Sequence, residues 1–248
     1  MPNQNAKISM LGDRTENQDR VQILESPKAT LLIAIDGMGG HSGGAAAAAL
    51  AVDNIRESFE ANSHPIFDPQ GFLHLAIGKA HAAIVNMGKD LPVESRPRAT
   101  CALCLIQDGA AYWGHIGDSR VYHLRGAVIY DRTRDHSHVE LLLYEGAIKA
   151  EDIASHPMRN YVECCLGGYA ELPRMSISNQ KHPEAGDVML VCSDGFWSPL
   201  EETELVELGK SNGVLTETLN KLGETAIRNA SPYSDNTSAA AYSFAKTK

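Results

Sequence analysis

Residues 30–41 of this 248-residue chain read TLLIAIDGMGGH, a continuous apolar run that ends in an aspartate and a cluster of glycines. An unbroken run of this kind is typical of a strand that is buried on both faces. Residues 42–60, alanine-rich and then amphipathic, predict a helix directly after the strand, and residues 72–87 repeat apolar side chains at helical spacing. We therefore expect a buried strand covered by a pair of helices.

The rest of the chain alternates between strand and helix patterns. Short apolar segments separated by turn residues in 99–130 predict an antiparallel meander with a hairpin turn at Asp118. Antiparallel strands with helices in pairs indicate a single α+β domain over residues 1–248, with sheets in the middle and helices outside. Two further strands are predicted at 188–192 and 237–244, and four further helices at 138–145, 150–156, 201–208 and 215–229.

Composition limits the partners of the chain. The 22 basic and 31 acidic residues give a formal charge of -9 with no basic run, which argues against a nucleic-acid partner. The longest apolar stretch, residues 45–52, is far shorter than the roughly 20 residues that span a bilayer, and no leading signal segment opens the chain. We expect a soluble, cytoplasmic protein.

The five cysteines do not suggest a disulfide framework, since they are scattered and odd in number. Cys101 and Cys104 have a spacing that zinc sites also use. However, residues three apart on the strand predicted there point to opposite faces of the sheet. We therefore interpret both as buried structural thiols.

Four aspartates beside small residues carry the main chemical signal: Asp36, Asp118, Asp194 and Asp235, each at an apparent strand end. Any one of them is explained by a turn or a helix cap. Together at one edge of a sandwich they would repel one another unless a cation were bound. Because oxygen ligands select hard cations, the pattern predicts a magnesium or manganese centre.

Such a centre indicates chemistry on phosphate esters. Two cations about 4 Å apart can deprotonate a shared water and neutralise charge on a leaving oxygen. Arg14 is the candidate to grip two phosphate oxygens with its planar guanidinium, the alternative being an exposed surface arginine. The glycine-rich residues 37–44 also suggest a nucleotide-binding module, but Ser42 occupies the third glycine position of that fingerprint.

Six motifs in a fixed order resemble the metal-dependent serine/threonine protein phosphatases of type 2C, in their compact bacterial form. The resemblance runs nearly end to end and implies a sandwich of two antiparallel β-sheets flanked by paired α-helices, with the metal site in a cleft at one edge. It also implies hydrolysis of phosphoserine and phosphothreonine in proteins. The motifs are GDRTENQD at 12–19, DGMGGH at 36–41, GDSR at 117–120, TRDHS at 133–137, SDG at 193–195 and DN at 235–236.

The resemblance also assigns ligands for two Mn²⁺ or Mg²⁺ ions. Asp36 would bridge both metals, and the carbonyl of Gly37 would bind one of them. Asp194 and Asp235 would bind the other, which Asp19 would reach through a water molecule.

Further roles follow from the same motifs. Asp118 matches a position that, with Asp194, can hold a third and weaker cation, and Arg14 would hold the substrate phosphate with His41 as a further substrate-binding residue. Many eukaryotic members have a histidine where this chain has Met38. The proton donor therefore stays open among His41, another histidine at position 136 and metal-bound water.

Residues 138–168 resemble the mobile flap that helps to choose protein substrates, the alternative being an ordinary helical hairpin. Two departures from the family pattern are expected to affect docking of this flap more than the metal core: Gly44 stands where a glutamate is frequent, and ECCL at 163–166 replaces a stretch that often holds a threonine and an arginine. We expect a monomer that acts on phosphorylated proteins and opposes a serine/threonine kinase. The alternatives are a pseudophosphatase that binds phosphoproteins without turnover, or a phosphatase devoted to one anti-sigma-factor antagonist.

Overall fold

The computed structural model describes residues 3–38, 43–210 and 214–245. One antiparallel sheet has five strands. The spatial order of this sheet is β1 (Gln4–Met10), β12 (Thr237–Ser243), β11 (Val188–Cys192), β7 (Arg120–Arg125) and β8 (Val128–Arg132).

The second antiparallel sheet is built around the predicted central strand, β3 (Ala29–Met38). Strand β2 (Asp19–Ser26) pairs along one edge of β3, and β5 (Cys101–Gln107) pairs along the other. The remaining order is β10 (Ser176–Ile177), β6 (Ala110–Ile116), β5 (Cys101–Gln107), β3, β4 (Arg98–Ala99) and β9 (Leu166–Gly167).

Helices cover the outer faces of both sheets. The pair α1 (Gly43–Glu60) and α2 (Pro69–Met87) packs on the seven-stranded sheet, and α7 (Leu215–Ala230) packs on the five-stranded sheet. Ala47, Ala48 and Ala51 on α1 are fully buried and let the helix approach the sheet closely. Asp68 caps α2 by accepting from the Gly71 N–H at 2.9 Å. The short helices are α3 (His138–Tyr144), α4 (Asp194–Trp197), α5 (Glu202–Leu205) and α6 (Glu207–Lys210), with 3₁₀ turns at Val93–Ser95 and Ala150–Ser155.

Three clusters of buried apolar side chains fill the spaces between these layers. Leu31 and Ile33 of β3 face α1 and α2, whereas Leu32 between them faces the other sheet. Burying one such side chain contributes roughly 1.5–3 kcal/mol, so a strand that is apolar at every position stabilises both interfaces. Cys101 and Cys104 follow the same alternation, one in the helix-facing cluster and one between the sheets. The predicted four-layer α+β sandwich is confirmed.

The path between the sheets differs from the predicted meander. Strand β6 belongs to the seven-stranded sheet and β7 to the five-stranded sheet, so residues 117–118 form a corner between sheets rather than a hairpin turn. Gly117 makes this corner with φ +93°, and a Cβ there would lie 2.7 Å from Thr100 Cγ2. The prediction of a hairpin was wrong because local turn residues do not reveal which sheet the next strand joins.

Other predicted elements match with smaller changes. Residues 201–208 form two one-turn helices instead of one helix, and 150–156 form a 3₁₀ turn. Asp235 precedes β12 rather than ending a strand. No helix in the described ranges combines the length and apolar character that crossing a bilayer requires.

Candidate metal and phosphate site

The predicted acidic residues meet at one edge of the sandwich. Asp36, Asp118, Asp194 and Asp235 line a single cleft of about 530 Å³. Asp19 lies directly opposite Asp36 across the β2–β3 pair and is 2% exposed. Other residues that line the cleft are Arg14, Thr15, Glu16, Gln18, Gly37, Met38, Asn160, Val162 and Asn236.

Asp36 is fixed through its own backbone. Its N–H donates to Thr100 Oγ1 at 3.1 Å, and its carbonyl accepts from the Thr100 N–H at 2.8 Å. The Thr100 hydroxyl lies 2.6 Å from the Ser119 hydroxyl. The buried threonine therefore ties the central strand to the corner that carries Asp118.

Asp19 and Asp194 are linked by Ser193, the residue between β11 and α4. The Ser193 hydroxyl donates to Asp19 Oδ2 at 2.6 Å, and its N–H donates to the Ser238 carbonyl at 3.0 Å. Asp194 is the first residue of α4. A Cβ on the following Gly195 would collide with the backbone of Asn236, so glycine lets α4 begin close to β12.

Arg14 lies at the rim of the cleft beside Asp235. Its Nη2 donates to Asp235 Oδ2 at 2.7 Å, and 59% of the arginine side chain is exposed. Asp235 raises the pKa of Arg14 most, with smaller contributions from Asp194 and Asp36. The guanidinium thus faces the carboxylates on one side and solvent on the other.

Asp118 is held by residues that sequence reasoning did not single out. The Trp197 indole N–H donates to the Asp118 carbonyl at 3.0 Å, and the Arg120 guanidinium lies 3.2 Å from the Trp197 ring centroid. Arg120 also makes two 2.8 Å hydrogen bonds to Asp135. Arg120 lies in the GDSR motif and Asp135 in the TRDHS motif. These two motifs were the sequence features that could have identified both residues.

Burial and mutual repulsion raise the pKa of several carboxyl groups. Burial is the largest cause for each, and it raises the pKa of Asp19 to about 7, although the Ser193 hydrogen bond opposes it. Burial and then Asp194 raise the pKa of Asp118 to about 8, and burial and then Asp235 raise that of Asp194 to about 6. The pKa of Asp36 lies well above its ordinary value because of burial and then Asp19. A bound dication would relieve this repulsion.

The donor set fits hard divalent cations, since it consists of carboxylates and a carbonyl. As the side chains stand, however, the described ranges hold no group of three or more His, Cys, Asp or Glu residues arranged to ligate one metal. One carboxylate oxygen of Asp19 accepts from Ser193, and one of Asp235 accepts from Arg14. Metal binding at Asp235 would therefore compete with this arginine contact.

Of the two histidines among the candidate proton donors, His41 lies outside the described residues. His136 Nε2 lies 2.9 Å from Ser176 Oγ, and its ring stacks on His115 at 4.5 Å. Burial lowers the pKa of His136 to about 4, with His115 adding to the effect. A neutral imidazole in these contacts fits a structural group better than a proton donor.

Residues 138–168 border the cleft through Asn160 and Val162. A second groove begins at the same two residues and Met38, and continues past Tyr161, Tyr169, Leu172 and Pro173. The cleft and the groove are therefore neighbours that share part of one wall.

Gly44 packs against the predicted carbonyl ligand. A Cβ at Gly44 would lie 2.6 Å from the Gly37 oxygen and 2.7 Å from Gln18 Oε1. A glutamate at this position would therefore displace the Gly37 carbonyl. Glycine here keeps α1 close to the end of β3.

The cleft of crowded carboxylates with a guanidinium at its rim lies at one edge of a helix-covered double sheet, an arrangement that suits metal-dependent chemistry on phosphate esters. The sequence profile described as protein phosphatase 2C matches residues 9–231. The chain belongs to the protein phosphatase 2C family, a family of hydrolytic enzymes.

Individual relatives agree with this assignment. A putative protein phosphatase 2C-type of Streptococcus pyogenes is 30% identical over 218 residues, which cover 85% of this chain and 87% of the relative. The serine/threonine protein phosphatase PstP of Mycobacterium tuberculosis is 30% identical over 219 residues, 88% of this chain but 41% of PstP. The chain thus spans less than half of that relative.

A solved structure extends the likeness to the fold. The catalytic domain of serine/threonine protein phosphatase PstP, in complex with two manganese ions, has a TM-score of 0.80 at 26% identity. The match covers 98% of this chain and 99% of that one. The predicted family and fold are confirmed.

Proposed function

We propose that this chain hydrolyses phosphoserine and phosphothreonine in proteins at a centre of two divalent cations, Mn²⁺ or Mg²⁺. The observation that carries the proposal is the meeting of distant aspartates and Arg14 in one cleft. The family assignment supports the same activity.

The ligands we propose are those of the family motifs. Asp36 would contact both cations, the Gly37 carbonyl would help to hold one, and Asp194 and Asp235 would hold the other, with Asp19 acting through water. When bound, the cations supply an activated water and neutralise charge on the leaving oxygen. A third cation at Asp118 and Asp194 belongs to the proposal as a weaker site.

The chain itself contributes position and charge. The Ser193 hydroxyl fixes the Asp19 carboxylate, and Thr100 fixes the backbone of Asp36. Arg14 uses one of its five N–H donors on Asp235, so its other donors can bind the phosphate oxygens. His41 is proposed as a second substrate-binding residue.

A protein substrate is favoured over a small metabolite by the shape of the site. The cleft is open and continues into the neighbouring groove past Val162, which gives room for polypeptide on one side of a phosphorylated residue. We propose that residues 138–168 act as a flap over this substrate, within one catalytic domain of residues 1–248. We also propose that the chain works as a cytoplasmic monomer opposing a serine/threonine kinase, a role consistent with relatives named serine/threonine phosphatases.

The test compares purified wild type with Asp36→Asn, using p-nitrophenyl phosphate and a phosphothreonine peptide, with Mn²⁺ or with a chelator. We expect Mn²⁺-dependent hydrolysis of both substrates, and a loss of at least about 100-fold in kcat on Asp36→Asn, because the bridging charge is removed. Asp108→Asn is the matched control, since Asp108 is an exposed turn residue with φ 50° that asparagine tolerates.

Two results would count against the proposal. Equal rates with Mn²⁺ and with chelator would show that the reaction does not need a metal. Phosphopeptide binding without turnover in the wild type would instead support the pseudophosphatase alternative.

A further inference from the structure

Asn236 joins two parts of the site that are distant in sequence. Its side chain is almost fully buried, with the whole residue 4% exposed. Its Oδ1 accepts from the Gln18 N–H at 2.8 Å, and its Nδ2 donates to the carbonyls of Leu11 at 2.9 Å and Glu16 at 3.1 Å. All three partners lie in the loop of residues 11–18, so one amide fixes that loop to the start of β12.

A second anchor of the same loop lies at Asp13, directly before Arg14. The Asp13 N–H donates to the Ser234 carbonyl at 3.1 Å, and Asp13 Oδ2 accepts from the Ser234 N–H at 3.0 Å and its hydroxyl at 2.8 Å. Gly12 allows this approach with φ +64°, because a Cβ there would collide with the Asp235 carbonyl oxygen. The loop is therefore fixed on both sides of Arg14.

Asn236 also holds the partner of Arg14. Its backbone N–H donates to Asp235 Oδ1 at 2.8 Å, while Asp235 Oδ2 accepts from Arg14 Nη2 at 2.7 Å. The side chain of Asn236 thus orders the loop that carries the guanidinium, and its backbone orients the carboxylate that the guanidinium contacts.

We propose that Asn236 is a positioning residue for phosphate binding, which acts by presenting Arg14 to the cleft in a preset orientation. The inference rests on the proposed function, because it takes Arg14 as the phosphate ligand. Asparagine suits the position since its side chain offers an acceptor and two donor hydrogens at once, whereas aspartate offers no donor when ionised and alanine offers neither. A loop ordered before binding does not spend binding energy on its own ordering.

A double-mutant cycle tests this role with Asn236→Ala, Arg14→Ala and the double variant. The readout is the dissociation constant of inorganic phosphate, measured by calorimetry on Mn²⁺-loaded protein, together with KM and kcat for p-nitrophenyl phosphate. We expect Asn236→Ala to weaken phosphate binding about tenfold in the wild type and less than twofold in the Arg14→Ala background. KM should rise more than kcat falls.

Two further variants separate positioning from general loss of structure. Asp13→Ala releases the same loop at its other anchor, and we expect the same dependence on Arg14. Asn229→Ala is the matched control, because its amide donates to the Pro199 carbonyl at an exposed site and should leave phosphate binding unchanged. Thermal unfolding identifies any variant that does not fold, in which case Asp13→Ala carries the test.

An equal loss of phosphate affinity in both backgrounds would overturn the inference, since Asn236 would then not act through Arg14. A loss of Mn²⁺ affinity with phosphate binding unchanged would overturn it as well. Failure of the proposed function is distinguishable, because it would appear as no Mn²⁺-dependent turnover in the wild type while phosphate binding remains measurable.

Discussion

At the scale of single residues, the guanidinium of Arg14 and a bound cation would compete for the carboxylate of Asp235. The 2.7 Å contact uses a carboxylate oxygen that a metal would also use. We predict that Arg14→Ala does not raise the Mn²⁺ concentration for half-maximal activity, although it weakens phosphate binding, because Asp235 loses a competing positive charge. A manganese titration of the rate checks this.

Arg228→Ala is a suitable control for that titration, since Arg228 is an exposed arginine on α7 that contacts Thr225. A higher manganese requirement in Arg14→Ala than in this control would contradict the prediction. Arg14 would then help to build the metal site instead of competing with it.

The sequence alone identified functional residues when the residue type itself restricts the chemistry that the side chain can perform. Asp36 and Asp194 stand beside glycine after apolar runs, so a set of carboxylates could be predicted without coordinates. The contact of Arg120 with Trp197 could not, because the two residues belong to different elements and meet only after both sheets have formed. The same holds for Asn236, whose partners lie more than 200 residues earlier in the chain.

At the scale of elements, the groove beside the cleft predicts a difference between large and small substrates. Tyr169 lines this groove and is 66% exposed. We predict that Tyr169→Ala lowers kcat/KM for a phosphothreonine peptide about fivefold or more, while the value for p-nitrophenyl phosphate changes less than twofold, because the small ester reaches only the cleft.

Tyr144→Ala provides the matched comparison. Tyr144 is 80% exposed on α3, within the proposed flap, but does not line either the cleft or the groove. Equal effects of the two tyrosine variants on the peptide would show that the groove does not contact substrate.

Elements with a long apolar run or a clear helical period were predictable, and those with neither were not. Strand β3 was predicted from its unbroken apolar run, and helices α2 and α7 from several repeats of their apolar pattern, all within three residues of their observed ends. The two-residue strands β4 and β9 are too short to show alternation. They form because β3 extends beyond Asp36 and offers a free edge to Arg98 and Ala99.

At the scale of the whole molecule, crowded carboxylates make stability depend on pH and metal. Asp19 and Asp118 have pKa values of about 7 and about 8 in the fold, against 3.8 ordinarily. Between the ordinary pKa and the raised pKa values, the folded state binds more protons than the unfolded state. The free energy of unfolding therefore falls as pH rises through this range. Buried His115 and His136 have lowered pKa values and act in the opposite sense, but only below about pH 6.5.

We therefore predict that the free energy of unfolding of metal-free protein falls between pH 6.5 and pH 8. Added Mn²⁺ should raise the melting temperature more at pH 8 than at pH 6.5, because cations then replace the lost protons. Thermal unfolding in chelator and in Mn²⁺ measures both effects.

Asp36→Asn should reduce the pH slope and remove most of the Mn²⁺ stabilisation, since it deletes one of the repelling charges and a proposed ligand. A variant that remained as responsive to Mn²⁺ as the wild type would place the stabilising cation elsewhere.

Strand β12 is the last described strand, yet it lies between β1 and β11 and directly follows Asp235 and Asn236. During synthesis the N-terminal segments emerge first. The last strand of the seven-stranded sheet ends at residue 177, so this sheet can form before β12 leaves the ribosome. The five-stranded sheet cannot be completed until β12 has been synthesised. The topology therefore delays assembly of the acidic cleft until β12 is available, because Asp235 and Asn236 lie directly before that strand.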